Sequence, residues 1–82
     1  MTTVRYWASA RAAAGVASDQ VEAATLADAL AQVTAARPPR LAEVLTVCAY
    51  VVDGAPVGAR DHAGVTLAPG ALVDVLPPFA GG

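Results

Sequence analysis

Apolar and polar positions alternate with a period of two at the start of the chain. Val4 and Tyr6 alternate with polar or aromatic neighbours through residues 3–9, which is the spacing of a β-strand with one covered face. Residues 11–15 end in a glycine and predict a turn. A weaker strand is predicted over residues 16–23. The two strands are therefore expected to form a hairpin.

The second half of the chain predicts three more strands. Residues 47–52 form a continuous run of β-branched, small apolar and aromatic residues, typical of a strand that is covered on both faces or nearly so. Asp53-Gly54 predicts a tight hairpin turn, and Val57 is expected to begin the following short strand. Pro69-Gly70 predicts a turn that leads into a last strand over residues 71–76.

The middle of the chain has helical periodicity. Thr25 can cap the first turn with its hydroxyl, and Asp28 lies where negative charge favours the helix dipole. Pro38-Pro39 is expected to end this helix, and a short second helix or turn is predicted over residues 40–45. The apolar stripe of the main helix is predicted to consist of Leu26, Ala29, Leu30, Val33 and Ala36.

The predicted element order is β-β-α-(short helix)-β-β-β. A hairpin, a crossing helix and further strands that share one core predict an α+β domain, with a mixed sheet of about five strands and one main helix on one face. We expect the domain to span residues 1–76 and a C-terminal tail to span residues 77–82. Because one main helix covers one face, the other face of the sheet is expected to be open.

Strand parity predicts which side chains lie on that open face. If Asp74 points to water, then Leu72 and Leu76 share its side, and Trp7 shares the side of Arg5 in the first strand. With the first and last strands adjacent, these residues form an exposed apolar patch of the kind that marks partner surfaces. The alternative is a register shifted by one residue, which would place Trp7 in the core.

Composition limits the classes of function. The 82 residues are 56% hydrophobic and carry a net charge of −2, which indicates one packed globular domain. The absence of a basic stripe argues against nucleic-acid binding, and no apolar run is long enough to span a membrane, so a cytoplasmic location is expected. One cysteine, Cys48, and one histidine, His62, exclude an internal disulfide and leave little for a metal site.

The last six residues, Pro77-Pro78-Phe79-Ala80-Gly81-Gly82, follow the last predicted strand directly. The two prolines cannot continue a sheet ladder, and the two glycines lack a Cβ and can enter narrow channels. Fully extended, six residues reach about 20 Å, which suits a thin arm with a carboxylate at its tip. The simpler alternative is a frayed terminus.

This ending closely resembles the Pro-Pro-x-x-Gly-Gly ending of the MoaD/ThiS-like sulfur carriers, and of the small subunit of molybdopterin synthase in particular. Ala8-x-x-Arg11 with Gly15, Val52-Asp53-Gly54 and Leu67-x-Pro69-Gly70 resemble further segments of that family. Asp53 replaces the usual Asn, and Ala71 stands where an acidic residue is common. The resemblance implies the ubiquitin-like β-grasp fold.

The resemblance also implies the chemistry. A ubiquitin-activating-like adenylyltransferase would adenylate the Gly82 carboxyl with ATP, and a sulfurtransferase would supply a persulfide that converts it to a thiocarboxylate, a soft nucleophile. The large subunit of molybdopterin synthase would receive the tail, so this chain would be a non-catalytic, sulfur-donating subunit with no bound cofactor. The residues expected to contact these partners are Trp7, Arg11, Leu72, Leu76, Pro77, Pro78, Phe79 and Ala80, with Gly81 and Gly82 as the reacting end.

Three other interpretations stay open at this stage. Related carriers serve thiamine or cysteine synthesis, a ubiquitin-like modifier would join Gly82 to lysines of other proteins, and a plain interaction domain would use only the apolar patch. The chain offers no nucleophilic set, phosphate-cradling loop or acid/base pair of its own. Asp61-His62 is interpreted as a solvated loop pair, and Cys48 as a small buried hydrophobe.

Overall fold

The computed structural model describes residues 1–78. The sheet strands are β1 (Thr2–Tyr6), β2 (Ser18–Val21), β3 (Ala49–Val52), β4 (Ala55–Pro56) and β5 (Leu72–Leu76). The helices are α1 (Ala8–Ala14), α2 (Leu26–Ala36), α3 (Pro39–Leu45) and a single 3₁₀ turn, His62–Gly64. No helix within residues 1–78 is long and apolar enough to cross a membrane.

The five strands form one mixed sheet in the order β2-β1-β5-β3-β4. Strand β5 is at the centre and is parallel to β1, with Tyr6 opposite Val75, whereas the other neighbouring strands are antiparallel. The predicted α+β class and the five-stranded mixed sheet are confirmed. The first and last strands are adjacent, which is the condition on which the predicted apolar patch depended.

One face of the sheet is covered and the other is open, as predicted. Val4, Tyr6, Val73 and Val75 are each 0–1% exposed, and they pack in one core with buried residues from all three α-helices. The intervening residues of β1 and β5, such as Arg5, lie on the opposite face and retain partial exposure. All three α-helices therefore contribute to the core on one side of the sheet.

Helix α2 begins and ends close to the predicted positions. The Thr25 hydroxyl accepts a hydrogen bond from the Asp28 amide at 3.2 Å, which caps the first turn. Leu26 and Val33 are fully buried. Ala36 is exposed, so its inclusion in the apolar stripe was wrong; it lies in the last turn, where the helix leaves the sheet for Pro38.

Helix α1 was not predicted. The strand expected over residues 3–9 ends at Tyr6, and the chain turns at Ala8, whose φ is 48°, into a helix that ends at Gly15 with φ 80°. The alternation of Val4, Tyr6 and Ala8 continued by chance into this helix. Its buried face is alanine only, so it lacks the large apolar residues that make an amphipathic pattern visible.

The turns predicted at Asp53-Gly54 and Pro69-Gly70 are present, but the turn predicted over residues 11–15 is mostly helix α1, and β3 begins at Ala49 and not at residue 47. Asp53 and Gly54 have φ of 50° and 83°, the pair of positive values that a type I′ hairpin turn requires. The Ala71 amide donates to the Ala68 carbonyl at 3.1 Å across Pro69-Gly70. Strand β4 ends before Val57, which was expected to begin it and instead points into the core.

Candidate functional site

The tail begins after β5, at the end of the sheet where both β1 and β5 finish. Because these strands are parallel, their carboxyl ends lie side by side. The residue after β1, Trp7, donates its amide to the Val75 carbonyl at 3.2 Å, which places it beside Leu76. Pro77 and Pro78 follow immediately. The root of the tail and Trp7 are therefore held together by backbone pairing.

A three-residue cluster lies on the open face at this edge. Arg5 and Asp74 are directly opposite each other in the parallel register. The guanidinium of Arg5 donates to both carboxylate oxygens, from Nε at 2.6 Å and from Nη2 at 3.2 Å. The indole Nε1 of Trp7 donates to Asp74 Oδ1 at 2.9 Å. The Arg5 Cζ lies 5.0 Å from the centroid of the Trp7 ring, within cation–π range.

The charges in this cluster stabilise one another. The hydrogen bond from Arg5 is the main reason that the pKa of Asp74 lies below its ordinary value, with a smaller contribution in the same direction from the Trp7 hydrogen bond. Burial of Asp74 opposes the shift but does not reverse it. Asp74 is therefore an ionised acceptor at neutral pH, with two donors fixed on it.

Apolar side chains continue the surface across β5 to β3. Ala49 is opposite Leu76 and Val51 is opposite Asp74, and directly opposed residues of a sheet share a face. We call Trp7, Ala49, Val51, Leu72 and Leu76 the open-face patch. Trp7 is 42% exposed, and Leu72 and Leu76 are half-buried, so the predicted parity and the exposure of Trp7 are confirmed.

The other predicted site residues are less uniform in their placement. Pro77 is buried and Pro78 is exposed, so Pro77 packs against the domain and presents little surface to a partner. Arg11 lies exposed on α1. The contacts predicted for Phe79 and Ala80, and the reacting end predicted at Gly81 and Gly82, lie outside the described residues.

The residues that were set aside as structural are also placed. Asp61 caps the 3₁₀ turn by accepting from the Ala63 amide at 3.3 Å, and His62 is half-buried with its ring edge-on to Tyr50, 5.0 Å between centroids. Asp61 is exposed, as the interpretation of a solvated pair expected, whereas His62 packs against Tyr50 and is not simply solvated. Cys48 is partly buried, which raises the pKa of its thiol, and its Sγ donates to the Val44 carbonyl. No group of three or more potential ligands within residues 1–78 is arranged to hold a metal ion.

The Arg5–Asp74–Trp7 cluster was missed by the sequence analysis although its members were assigned to the correct face. Parity placed Arg5 and Asp74 outward on neighbouring strands, and opposite charges on facing strands are a signal for pairing. The register between two strands separated by more than sixty residues was not available from the sequence. Without that register, the two charges could not be set opposite each other.

Comparison with known proteins agrees with this architecture. The sequence model of the ThiS family matches residues 4–82. No curated protein sequence shows significant similarity to the chain.

Solved structures resemble the chain over nearly its full length. Small archaeal modifier protein 1 from Methanosarcina acetivorans has a TM-score of 0.85 at 20% identity, covering 99% of this chain and 95% of that one. The complex of subunits 1 and 2 of molybdopterin-converting factor from Helicobacter pylori 26695 gives 0.72 at 23% identity, covering 99% and 97%. Mycobacterium tuberculosis CysO gives 0.79 at 17% identity, covering 96% and 100%. At these identities the likeness shows the fold, which is the ubiquitin-like β-grasp.

Proposed function

This chain belongs to the ThiS family of ubiquitin-fold sulfur carriers, and we propose that it is the small, sulfur-donating subunit of a molybdopterin synthase. The observation that carries the proposal is the sequence Pro-Pro-Phe-Ala-Gly-Gly directly after β5. The prolines follow the central strand β5 at the end of the sheet where Trp7 and Leu76 lie, so the reacting end starts beside the open-face patch.

The proposed reaction uses the Gly82 carboxyl as the sulfur carrier. A carboxylate is a poor electrophile, so an adenylyltransferase first joins it to AMP from ATP with release of pyrophosphate. The terminal sulfur of a donor persulfide then attacks the acyl carbon, AMP leaves, and a thiol reduces the resulting acyl disulfide to the thiocarboxylate. The thiocarboxylate is the nucleophile that the large subunit brings to the pterin precursor. The catalytic groups belong to the partners.

Intact mass spectrometry tests the carrier chemistry directly. The full chain is incubated with the activating enzyme of the same organism, Mg-ATP and a persulfide sulfur donor. We expect a gain of about 16 Da, the exchange of one oxygen for sulfur, and no gain in a chain lacking Gly82. Loading of the wild-type chain followed by molybdopterin formation with the large subunit supports the full proposal; no mass gain contradicts it.

A second candidate is a protein modifier, which is favoured by the likeness to small archaeal modifier protein 1. Such a modifier would form an isopeptide bond between Gly82 and a lysine of another protein. Conjugation in a lysate that contains the activating enzyme would produce adducts far heavier than one sulfur. Sulfur loading without molybdopterin formation would instead indicate a carrier for another pathway.

A further inference from the structure

The indole of Trp7 has its polar group satisfied within the domain. Nε1–H is the only hydrogen-bonding group of a tryptophan side chain, and it donates to Asp74 at 2.9 Å. An unsatisfied donor would need an acceptor from any partner that buries it, since a buried unpaired donor costs about 1–3 kcal/mol. Trp7 makes no such demand, although 42% of it is exposed. The surface that fits it is an apolar pocket.

The cluster also holds Trp7 in place before any partner arrives. Arg5 uses two nitrogens on Asp74, which fixes the plane of its guanidinium, and it lies over the indole. Asp74 in turn holds the indole edge. An anchor that is already ordered loses less side-chain entropy on binding than a free one.

The two charged side chains of the cluster, Arg5 and Asp74, differ in how far they are exposed to a partner. The side chain of Arg5 is 45% exposed and that of Asp74 is 16% exposed. Within residues 1–78, Nη1 of Arg5 makes no hydrogen bond, whereas Nε and Nη2 are both used. The pair is neutral overall, but its exposed part is a cation with a free donor, which complements a carboxylate.

We propose that Trp7 and Arg5 together recognise an apolar pocket bordered by a carboxylate on the protein that receives the tail. This inference rests on the proposed function and takes the receiver to be the large subunit of molybdopterin synthase. The geometry ties the cluster to the tail, because Trp7 is hydrogen-bonded to Val75 and residues 77–82 reach at most about 20 Å from there. A protein that encloses Gly82 therefore comes within about 20 Å of this surface.

The test measures binding of the full chain to the purified large subunit from the same organism, by calorimetry at about 50 and 300 mM salt. We expect Trp7→Ala to weaken binding on the order of 100-fold. Trp7→Phe is expected to stay within about fivefold, because the pocket is apolar and Arg5 still holds Asp74. Arg5→Gln is expected to weaken binding about tenfold at low salt and much less at high salt.

The matched control for the lost charge is Arg40→Gln, because Arg40 is exposed on α3, on the covered side of the sheet. It should leave the Kd unchanged at both salt concentrations. Urea unfolding of every variant separates weak binding from poor folding. If Trp7→Ala is unfolded, Trp7→Leu replaces it, and its Kd for the large subunit should be less than about tenfold above that of wild type.

Each contrary result has a distinct meaning. If Trp7→Phe binds as weakly as Trp7→Ala, the partner accepts a hydrogen bond from the indole N–H. If Arg5→Gln binds like Arg40→Gln, no carboxylate of the partner pairs with Arg5. Either result overturns the inference and leaves the proposed function unaffected. A wild-type chain that gains sulfur but does not bind the large subunit overturns the inference and the choice of receiver. Failure of sulfur loading contradicts the proposed function itself.

Discussion

Asp19 joins three elements through one carboxylate. It accepts from the Tyr6 hydroxyl of β1 at 2.8 Å and from Nε of Arg37, just beyond α2, at 3.0 Å, with Nη2 of Arg37 on its other oxygen. The Arg37 hydrogen bonds are the main cause of the lowered pKa of Asp19. Burial is the main cause of the raised pKa of Tyr6, which therefore stays a neutral donor. The carboxylate thus connects the antiparallel pair β1 and β2 to the end of α2.

Replacing Asp19 should change both stability and its dependence on pH. Because the folded pKa is lower than the ordinary 3.8, the contribution of Asp19 is fully present above that value and is lost as pH falls through the folded pKa. We expect Asp19→Asn to cost about 1–3 kcal/mol at pH 7 and to flatten the acid limb of stability. Urea unfolding from pH 7 to pH 2 measures this, and exposed Glu43→Gln is the control that should behave as wild type.

Asp53 connects the hairpin turn to the last strand through its side chain. It adopts a φ of 50° in the hairpin turn, and its Oδ1 accepts from the Leu72 amide at 2.9 Å. Asparagine offers the same acceptor and tolerates the same backbone. We expect Asp53→Asn to keep stability within about 0.5 kcal/mol and Asp53→Ala to lose about 1–2 kcal/mol. Equal urea midpoints for the two variants would contradict this.

Among the helices and strands, α2 has an N-terminal cap whose contribution to stability can be tested by itself. The Thr25 hydroxyl caps the helix, so Thr25→Ala should lower the free energy of unfolding by about 1 kcal/mol, whereas Thr25→Ser keeps the oxygen and should lose much less. Thermal and urea unfolding compare the two. A Thr25→Ser variant as unstable as Thr25→Ala would mean that the methyl group of Thr25 matters more than the cap.

The elements differ in how well the sequence predicts them, and the reason is the size of their side chains. Helix α2 has a cap and a stripe of large apolar residues, and both were recognised. Helix α1 buries only Ala10, Ala13 and Ala14, so its seven residues show no contrast between faces and are too few to be stable alone. Its stability comes from packing against β1, β5 and α3, which a single sequence does not display.

At the scale of the molecule, strand parity was sufficient to predict which side chains lie on the open face. The register between the strands was needed to predict which of those side chains contact one another. The alternation around Val4 and Val73 assigned the exposed side correctly. The contact of Arg5 with Asp74 depends on the pairing of residues that are 69 positions apart. The surface beside the tail is therefore predicted as apolar from sequence, while its charge pair and its fixed tryptophan appear only in the fold.

The whole-molecule prediction concerns the division between a stable domain and a reacting end. Within residues 1–78, the hydrophobic core cluster runs from Val4 to Val75, so Gly81→Ala should leave the free energy of unfolding within about 0.5 kcal/mol of wild type. The added Cβ should hinder passage of the end through a narrow enzyme channel, and we expect sulfur loading of Gly82 to fall at least about tenfold. The matched control is Gly64→Ala, which adds the same Cβ on the folded domain, where no atom lies within 4 Å of it, and it should load normally. Retained loading with lost stability in Gly81→Ala would mean that this end is part of the folded domain and that the channel does not exclude a side chain.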